Sequence, residues 1–428
     1  LIIFAMQVSA HSIESKQHTN YFKIGLAVIV ILSAVSFYRI VLLSKDMIYL
    51  IQAGVFGLMF IMLVFQLIYW KVPLIQHHFT APILLIFTGV LLSMIGAYAF
   101  HNQGFEVSLW AQRFMYFYLF YFFLHLLKLP INQIEKIIFI FGLAYAFGFL
   151  LQYVIYPTTL FDVRIDHSRG TVRIFITGFS FMLLAFFFSL QNIFYKNSVR
   201  HGIYLLLFFS ILVLSGTRQV IANISLISFL ALIFSKRVKS KLLLYFLAFM
   251  AAVAVYFLFQ DIINNLLAIS QEQTQDAENE ITRLKTTKFF LTEFYHNPLA
   301  YITGNGDSHQ WSSYGMEIQS YKSRYGFYLS DIGFIGEYVK YGAVFALGVI
   351  VLIIKALNQK LPENMLYIKL FLFSSLISLP VGGIFSQPYS IVAVCLLLYM
   401  IDKYKAKTES KKQRHRPVVY FSELENVN

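Results

Sequence analysis

The run IYLIQAGVFGLMFIMLVFQLIYW, residues 48–70, decides the fold. It carries no charged side chain and no proline. At about 1.5 Å of rise per residue it is long enough to cross roughly 30 Å of hydrocarbon. Comparable runs occupy residues 22–43, 80–100, 110–129, 137–156, 174–195, 220–235, 242–260, 332–357, 367–385 and 388–401. A shorter one, 203–214, is separated from its neighbour by Ser215-Gly216-Thr217-Arg218, whose glycine marks a break or tight bend. Lipid admits only helices and closed barrels, because every backbone polar group must be satisfied within the chain. The short alternating segments of a barrel are absent. The expectation is an all-α polytopic helical membrane protein with about twelve transmembrane helices. Residues 1–428 then form a single integral membrane domain.

Composition agrees. The chain has 428 residues, 58% of them hydrophobic and only 13% charged, with mean hydropathy +0.66. No soluble domain of this size needs so much apolar surface. The formal charge of +13 is explained by loops where Lys and Arg accumulate, so no nucleic-acid partner is expected. The single cysteine, Cys395, excludes an intramolecular disulfide and any cysteine-based metal site, and reads as a small core hydrophobe. The apolar run 1–10 is short for a span and has no basic flank, and it is not read as a signal peptide. The aromatics of the fourth run, among them Tyr118 and Tyr121, read as packing or lipid contact.

The distribution of lysine orients the chain. The tail, residues 402–428, holds Lys403, Lys405, Lys407, Lys411, Lys412, Arg414 and Arg416 and is placed in the cytoplasm. An even number of spans then puts both termini there. Basic loops at 71–79, 128–136, 196–201, 236–241 and 355–369 fall on the same side. The long polar segment 261–330 falls outside, where it reads as a lid over a reaction centre.

Arginines break the pattern. Arg164, Arg169, Arg173 and Arg218 sit on the outer side, with Arg39 and Arg113 in the outer ends of helices. A planar guanidinium grips a phosphate or carboxylate at two points, which lysine does not. Arg169, Arg173 and Arg218 are therefore candidate anion ligands. Snorkelling to headgroups, or pairing with Asp162 and Asp166, is the alternative for any one of them. The anion suited to this position is a lipid pyrophosphate, its tail between helices and its head on the arginines.

These stretches resemble the O-antigen polymerase and O-antigen ligase superfamily. The resemblance rests on Ser215-Gly216-Thr217-Arg218, on Arg169-Gly170 through Arg173, and on Arg283-Leu284, Asn297-Pro298 and Gly304-Asn305-Gly306. Asp331-Ile332-Gly333-Phe334-Ile335-Gly336, opening the next helix, completes it. The resemblance covers residues 169–342, a little under half the chain. It implies a membrane glycosyltransferase of the bacterial cytoplasmic membrane. Such an enzyme polymerises oligosaccharides linked to polyprenyl pyrophosphate into O-antigen, capsular or exopolysaccharide. Flippase and chain-length regulator proteins are the implied partners, beside the lipid bilayer itself. It implies substrate contacts at Arg164, His167, Arg283, Gly304 and Gly306. Family members often carry His-Asn just before the helix-opening segment, whereas this chain reads Tyr325-Gly326-Phe327-Tyr328. The nearest histidine is His309.

Transfer requires a base for the acceptor hydroxyl, and His309, Asp307, Asp331 and His167 are the candidates. Arginines replace a metal at the leaving group, and no His/Asp/Glu spacing of ligand type recurs. No metal and no cofactor are expected. Within the loop, Ile281, Leu284, Leu291, Phe294 and Tyr295 share a helical face that ends before Pro298. Two other functions fit the same composition: transfer of a finished glycan to a lipid core, and transport without chemistry. The pair Glu337 and Lys340, one turn apart, is the most transporter-like feature and reads locally as an ion pair.

Overall fold

Five helices of the computed structural model are long and apolar enough to cross a membrane: Lys45–Ile68, Thr80–His101, Ile131–Ile155, Phe179–Lys196 and Leu329–Leu357. The structure describes residues 21–69, 77–166, 172–196, 198–234, 277–295, 297–380 and 382–414. The expected span 242–260 and the run 1–10 lie outside them. In chain order the helices are α1 (Tyr21–Ala34), α2 (Lys45–Tyr69), α3 (Thr80–His101), α4 (Phe105–Ala111), α5 (Leu119–Leu127) and α6 (Ile131–Ile155). A hairpin of β1 (Arg164–Asp166) and β2 (Arg173–Phe175) leads to α7 (Phe179–Lys196), α8 (Val199–Leu214) and α9 (Arg218–Phe234). Beyond 276 come α10 (Ala277–Lys288), α11 (Ala300–Thr303), α12 (Ser313–Tyr325), α13 (Gly333–Leu357), α14 (Leu366–Ser378) and α15 (Pro388–Arg414).

Several boundaries differ from the hydropathy reading, each for a local reason. The first helix stops at Ala34, and Ser36 to Arg39 form a left-handed turn with φ of +51 to +56°. From there Ile40 pairs with Phe161, and the Asp162 amide donates to the Arg39 carbonyl. The aromatic run 110–129 is broken into α4, a 3-10 stretch Arg113–Tyr118, and α5. Its rings face protein: Phe117, Tyr118, Phe120, Tyr121 and Phe123 are fully buried. The Tyr118 hydroxyl donates to the Phe385 carbonyl at 3.1 Å. The sixth run begins with the β2 strand, antiparallel to β1, so that Arg173 stands opposite Asp166. The first part of the expected basic tail is helical, because α15 continues unbroken to Arg414. Asp402, at 8% exposure, is turned into the protein.

The bundle is held most closely where α3 crosses α13. A side chain at Gly348 would run into the Ile86 backbone, so small residues there let the two backbones approach. Cys395 is buried in α15 against the Phe117 carbonyl.

The described part of the long loop is a packed wall rather than a free lid. Phe290, Phe294 and Tyr314 form a second small core with Ile332 and Val339 of the next helix. The buried stripe of the loop helix is Thr286, Phe290 and Phe294, while Leu284 is 66% exposed, against the expected face. A π-turn over Phe289–Glu293 follows α10 and turns the face by changing the residue spacing. A second loop helix, α12, follows; the hydropathy pattern does not show it.

The loop is pinned at a kink in α13. Gly342 sits at φ +76°, ψ −177°, which interrupts the helical ladder. The freed carbonyls of Val339 and Lys340 accept from the amides of Asn305 (3.1 Å) and Gly306 (2.7 Å). Backbone groups released within an apolar bundle must find such partners. Gly304 and Gly306, at φ +78° and +76°, are required because a Cβ at either would strike the facing backbone. Asn305, wholly buried, meets His101 Nε2 at 3.1 Å. The His101 ring stacks on Tyr314 with centroids 3.9 Å apart, and its Nδ1 lies 3.5 Å from Glu317. Burial pushes the Tyr314 hydroxyl well up, and burial with the Glu317 contact takes Tyr321 up to about 12.

Candidate active site

Four helices begin around one cavity. The first residues of α7, α9, α13 and α15 line a space of about 730 Å³, closed on a further side by the end of α14. A helix N-terminus presents unpaired amides and the positive end of the peptide dipoles. Four of them border this cavity, although the Phe334 amide of α13 is taken by the Leu379 carbonyl and the carbonyl end of α14 lines the same space.

Its walls are rich in hydroxyls and amides. Ser180 of α7 and Ser390 of α15 share a hydrogen bond at 2.6 Å. The Asn223 amide of α9 donates to the Ser378 hydroxyl at 2.7 Å and to the Ser374 carbonyl at 2.9 Å. Lys340 reaches the rim and pairs with Asp307 of the loop at 2.8 Å. Leu329 and Ser330, at the loop's end, complete the wall. The loop is thereby fastened to the chamber through Lys340–Asp307 as well as at the α13 kink.

Two of the expected arginines, Arg173 and Arg218, lie beside this cavity without lining it. Arg173 is 9% exposed and packs against Gly216, where a Cβ would lie 3.3 Å from its Cγ. Gly216 takes φ +64° in the turn between α8 and α9, and that glycine makes room for the arginine stem. The Arg173 guanidinium also lies over the Phe175 ring at 4.9 Å. Arg218 opens α9 two residues further on, between the cavity-lining Thr217 and Gln219. The β-hairpin thus packs on the Ser215–Arg218 break at the mouth of the chamber. His167 and Arg169, in the connection between β1 and β2, lie outside the described residues. Arg164 is placed by its backbone only, in β1 opposite Phe175.

The remaining expected residues are elsewhere. Arg283 is exposed on α10 and does not line the cavity. Gly304 and Gly306 serve the contact with α3 and α13 described above. His309 is also off the wall: its amide is held by Gln103 and its ring accepts from the Trp311 amide. Asp331 is exposed beside Ser330, which donates to it at 3.3 Å. Arg113 lies over the Tyr49 and Phe114 rings at 4.6 and 4.5 Å and donates to the Trp110 carbonyl, an interfacial arrangement.

Sequence reasoning missed the acid of the chamber. Glu337 was expected to pair with Lys340, but Lys340 points to Asp307. The Glu337 side chain, 3% exposed, turns into the cavity. It faces Ser386 and the amides of Phe385 and Ser386, with no hydrogen bond of good geometry to either carboxylate oxygen. Gly383 leaves the space: a Cβ there would lie 3.0 Å from Glu337 Oε1. A charged group in such a run is the one signal that pointed to it.

Sequence reasoning also saw no ligand-type cluster, and the structure assembles one. His77, His125 and Asp402 meet at the opposite end of the bundle, brought together from three distant segments. Comparison of the chain with family models, with curated proteins and with solved structures finds no match.

Proposed function

We propose that the chamber binds the pyrophosphate of a polyprenyl-linked oligosaccharide at the outer face of a bacterial cytoplasmic membrane, and that the protein polymerises such units. The observation that carries this reading is the convergence of four helix N-termini on one cavity, with Arg173 packed on the Gly216 turn beside the cavity-lining Thr217. Charge that develops on a departing pyrophosphate is stabilised by donors already aimed at it. The cavity volume of about 730 Å³ suits a headgroup with one or a few sugars, not a folded partner.

The chemistry is a displacement at the anomeric carbon. The acceptor hydroxyl forms the new C–O bond, its proton passes to a base, and the bond to the pyrophosphate oxygen breaks. Glu337 is the base of this reading, since its carboxylate is enclosed in the same chamber. It replaces His309, Asp307, Asp331 and His167 in that role. The transfer step draws on arginine and backbone donors rather than a metal.

Purified protein supplied with a lipid-linked repeat unit should form polymer, and Arg173→Ala or Arg218→Ala should lower the rate about a hundredfold while leaving the protein inserted. Wild-type polymer from both variants would remove the assignment. Accumulation of long unligated chains in cells lacking the protein would favour transfer to a lipid core instead. One observation favours a second class: an enclosed carboxylate within an apolar helix is also what a proton-coupled carrier uses. Movement of a lipid-linked substrate across vesicles, without new glycosidic bonds, would establish that reading.

A further inference from the structure

The helix α3 has 22 residues and so carries the chain about 33 Å from the chamber end to the other end of the bundle. There His77, in the turn before α3, meets His125 from the last turn of α5 and Asp402 from α15. One ligand-type atom of each lies within 4.8 Å of the other two. His77 Nε2 and Asp402 Oδ1 are buried without a hydrogen-bond partner, and His125 Nε2 lies 3.3 Å from Asp402 Oδ2 without a hydrogen bond of good geometry. Buried polar atoms left so in one place are costly unless something joins them.

We propose that His77, His125 and Asp402 bind a divalent transition-metal ion, with zinc the best match to two imidazoles and one carboxylate. That donor set, three protein ligands with a fourth position left open, is a common one for zinc. The open side faces a cavity of about 540 Å³. The supporting contacts are those a metal site requires. Tyr121 donates a hydrogen bond to Asp402 Oδ2, the oxygen that His125 Nε2 also faces, and so fixes the carboxylate beside the imidazoles. The His125 ring is fixed edge-on between Tyr121 and Tyr399, with centroids 4.8 and 4.9 Å away.

Two features bear on the fit. The His77 and His125 rings stack at 3.6 Å and 17°, so their in-plane lone pairs run nearly parallel. Ligation therefore turns one ring, and His77, outside any helix, is the one that turns. Lysines line the same cavity, but Lys403 directs its ammonium to the carbonyls of Lys128 and Leu129. Glu409 stands on the same wall. The Asp402 carboxylate beside the imidazoles disfavours a phosphate in their place.

The test uses the full chain in detergent, stripped with chelator and titrated with zinc, and with cobalt as an optical probe. One ion per chain is expected, with a cobalt absorption of low-coordinate type and a thermal midpoint that zinc raises. His77→Gln and Asp402→Asn should each weaken zinc binding by a hundredfold or so and abolish the shift in midpoint. Absence of saturable zinc binding, or unchanged binding in the two variants, overturns the proposal. So does protection by inorganic phosphate alone that the same variants remove. If Asp402→Asn does not fold, His77→Gln and the wild-type cobalt spectrum decide; a weak spectrum of the hydrated-ion type counts against the site.

Discussion

Replacing Gly306 by alanine tests how the long loop is held. The residue sits at φ +76°, which a side chain adopts at a cost of about 1–2 kcal/mol. The new Cβ would also lie 2.6 Å from Ala97 Cβ and 2.8 Å from the Ser93 carbonyl, both on α3. Overpacking of this kind costs about 1–3 kcal/mol where the facing element cannot move. Helix α3 has little room to move, because it is locked along α13. The two terms together disfavour the docked loop by about 2–5 kcal/mol. Even the lower figure raises the population of the undocked loop roughly thirtyfold. The core of the bundle does not depend on this contact, so the loop should open without global unfolding. Limited trypsin digestion in detergent reads this directly at Lys322 and Arg324 of α12. When opening is fast relative to cleavage, the rate tracks the open population. Gly342→Ala, on α13, collides with the loop backbone at Ile302 and Gly304 and should behave alike. Cleavage at the wild-type rate in both variants would refute the kink-and-loop lock.

Further expectations concern single residues. Glu337→Gln keeps the shape of the chamber and removes the base, so polymer formation should fall by a factor of about 10²–10⁴ with donor binding little changed; full activity would exclude it as the base. Lys340→Met should release Asp307 and accelerate trypsin cleavage of the loop, since the ion pair is largely buried and its loss leaves the Asp307 carboxylate without its cation. Arg113→Ala should leave transfer within about twofold of wild type, because its guanidinium is taken up by neighbouring rings and the Trp110 carbonyl; a rate as low as that of Arg218→Ala would return it to the site. Cys395 should resist maleimide labelling until the protein is denatured, since it is wholly buried.

The spanning helices were legible because hydropathy depends on local composition alone. Residues 48–70 and 80–100 match α2 and α3 to within a few residues for that reason. The breaks were less legible. Nothing in Ser36-Phe37-Tyr38-Arg39 announces a left-handed turn; it follows from the pairing of Ile40 with Phe161, which is tertiary. The helix α12 is too polar and short to register in a hydropathy reading, yet its Tyr314 is needed to cover His101. Arg173 stood out by its position in the charge pattern, and it packs against the Gly216 turn. Glu337 was misassigned because helical spacing suggested Lys340 as partner, whereas the Gly342 kink brings the loop's Asp307 within reach of that lysine. The His77, His125 and Asp402 cluster was invisible because its members come from segments that hydropathy treats as unrelated ends.

The four helix beginnings around the chamber have a consequence for how the protein tolerates change. Their positive potential arises from peptide groups, not from ionisable side chains. It does not titrate with acidity, and no substitution that preserves the helices deletes it. Under the proposed function, the surrounding residues, and with them the sugar accepted, could be exchanged while the attraction for an anionic headgroup persists. On that proposal, a chain lacking every cationic side chain here would still hold phosphate weakly, through its backbone alone.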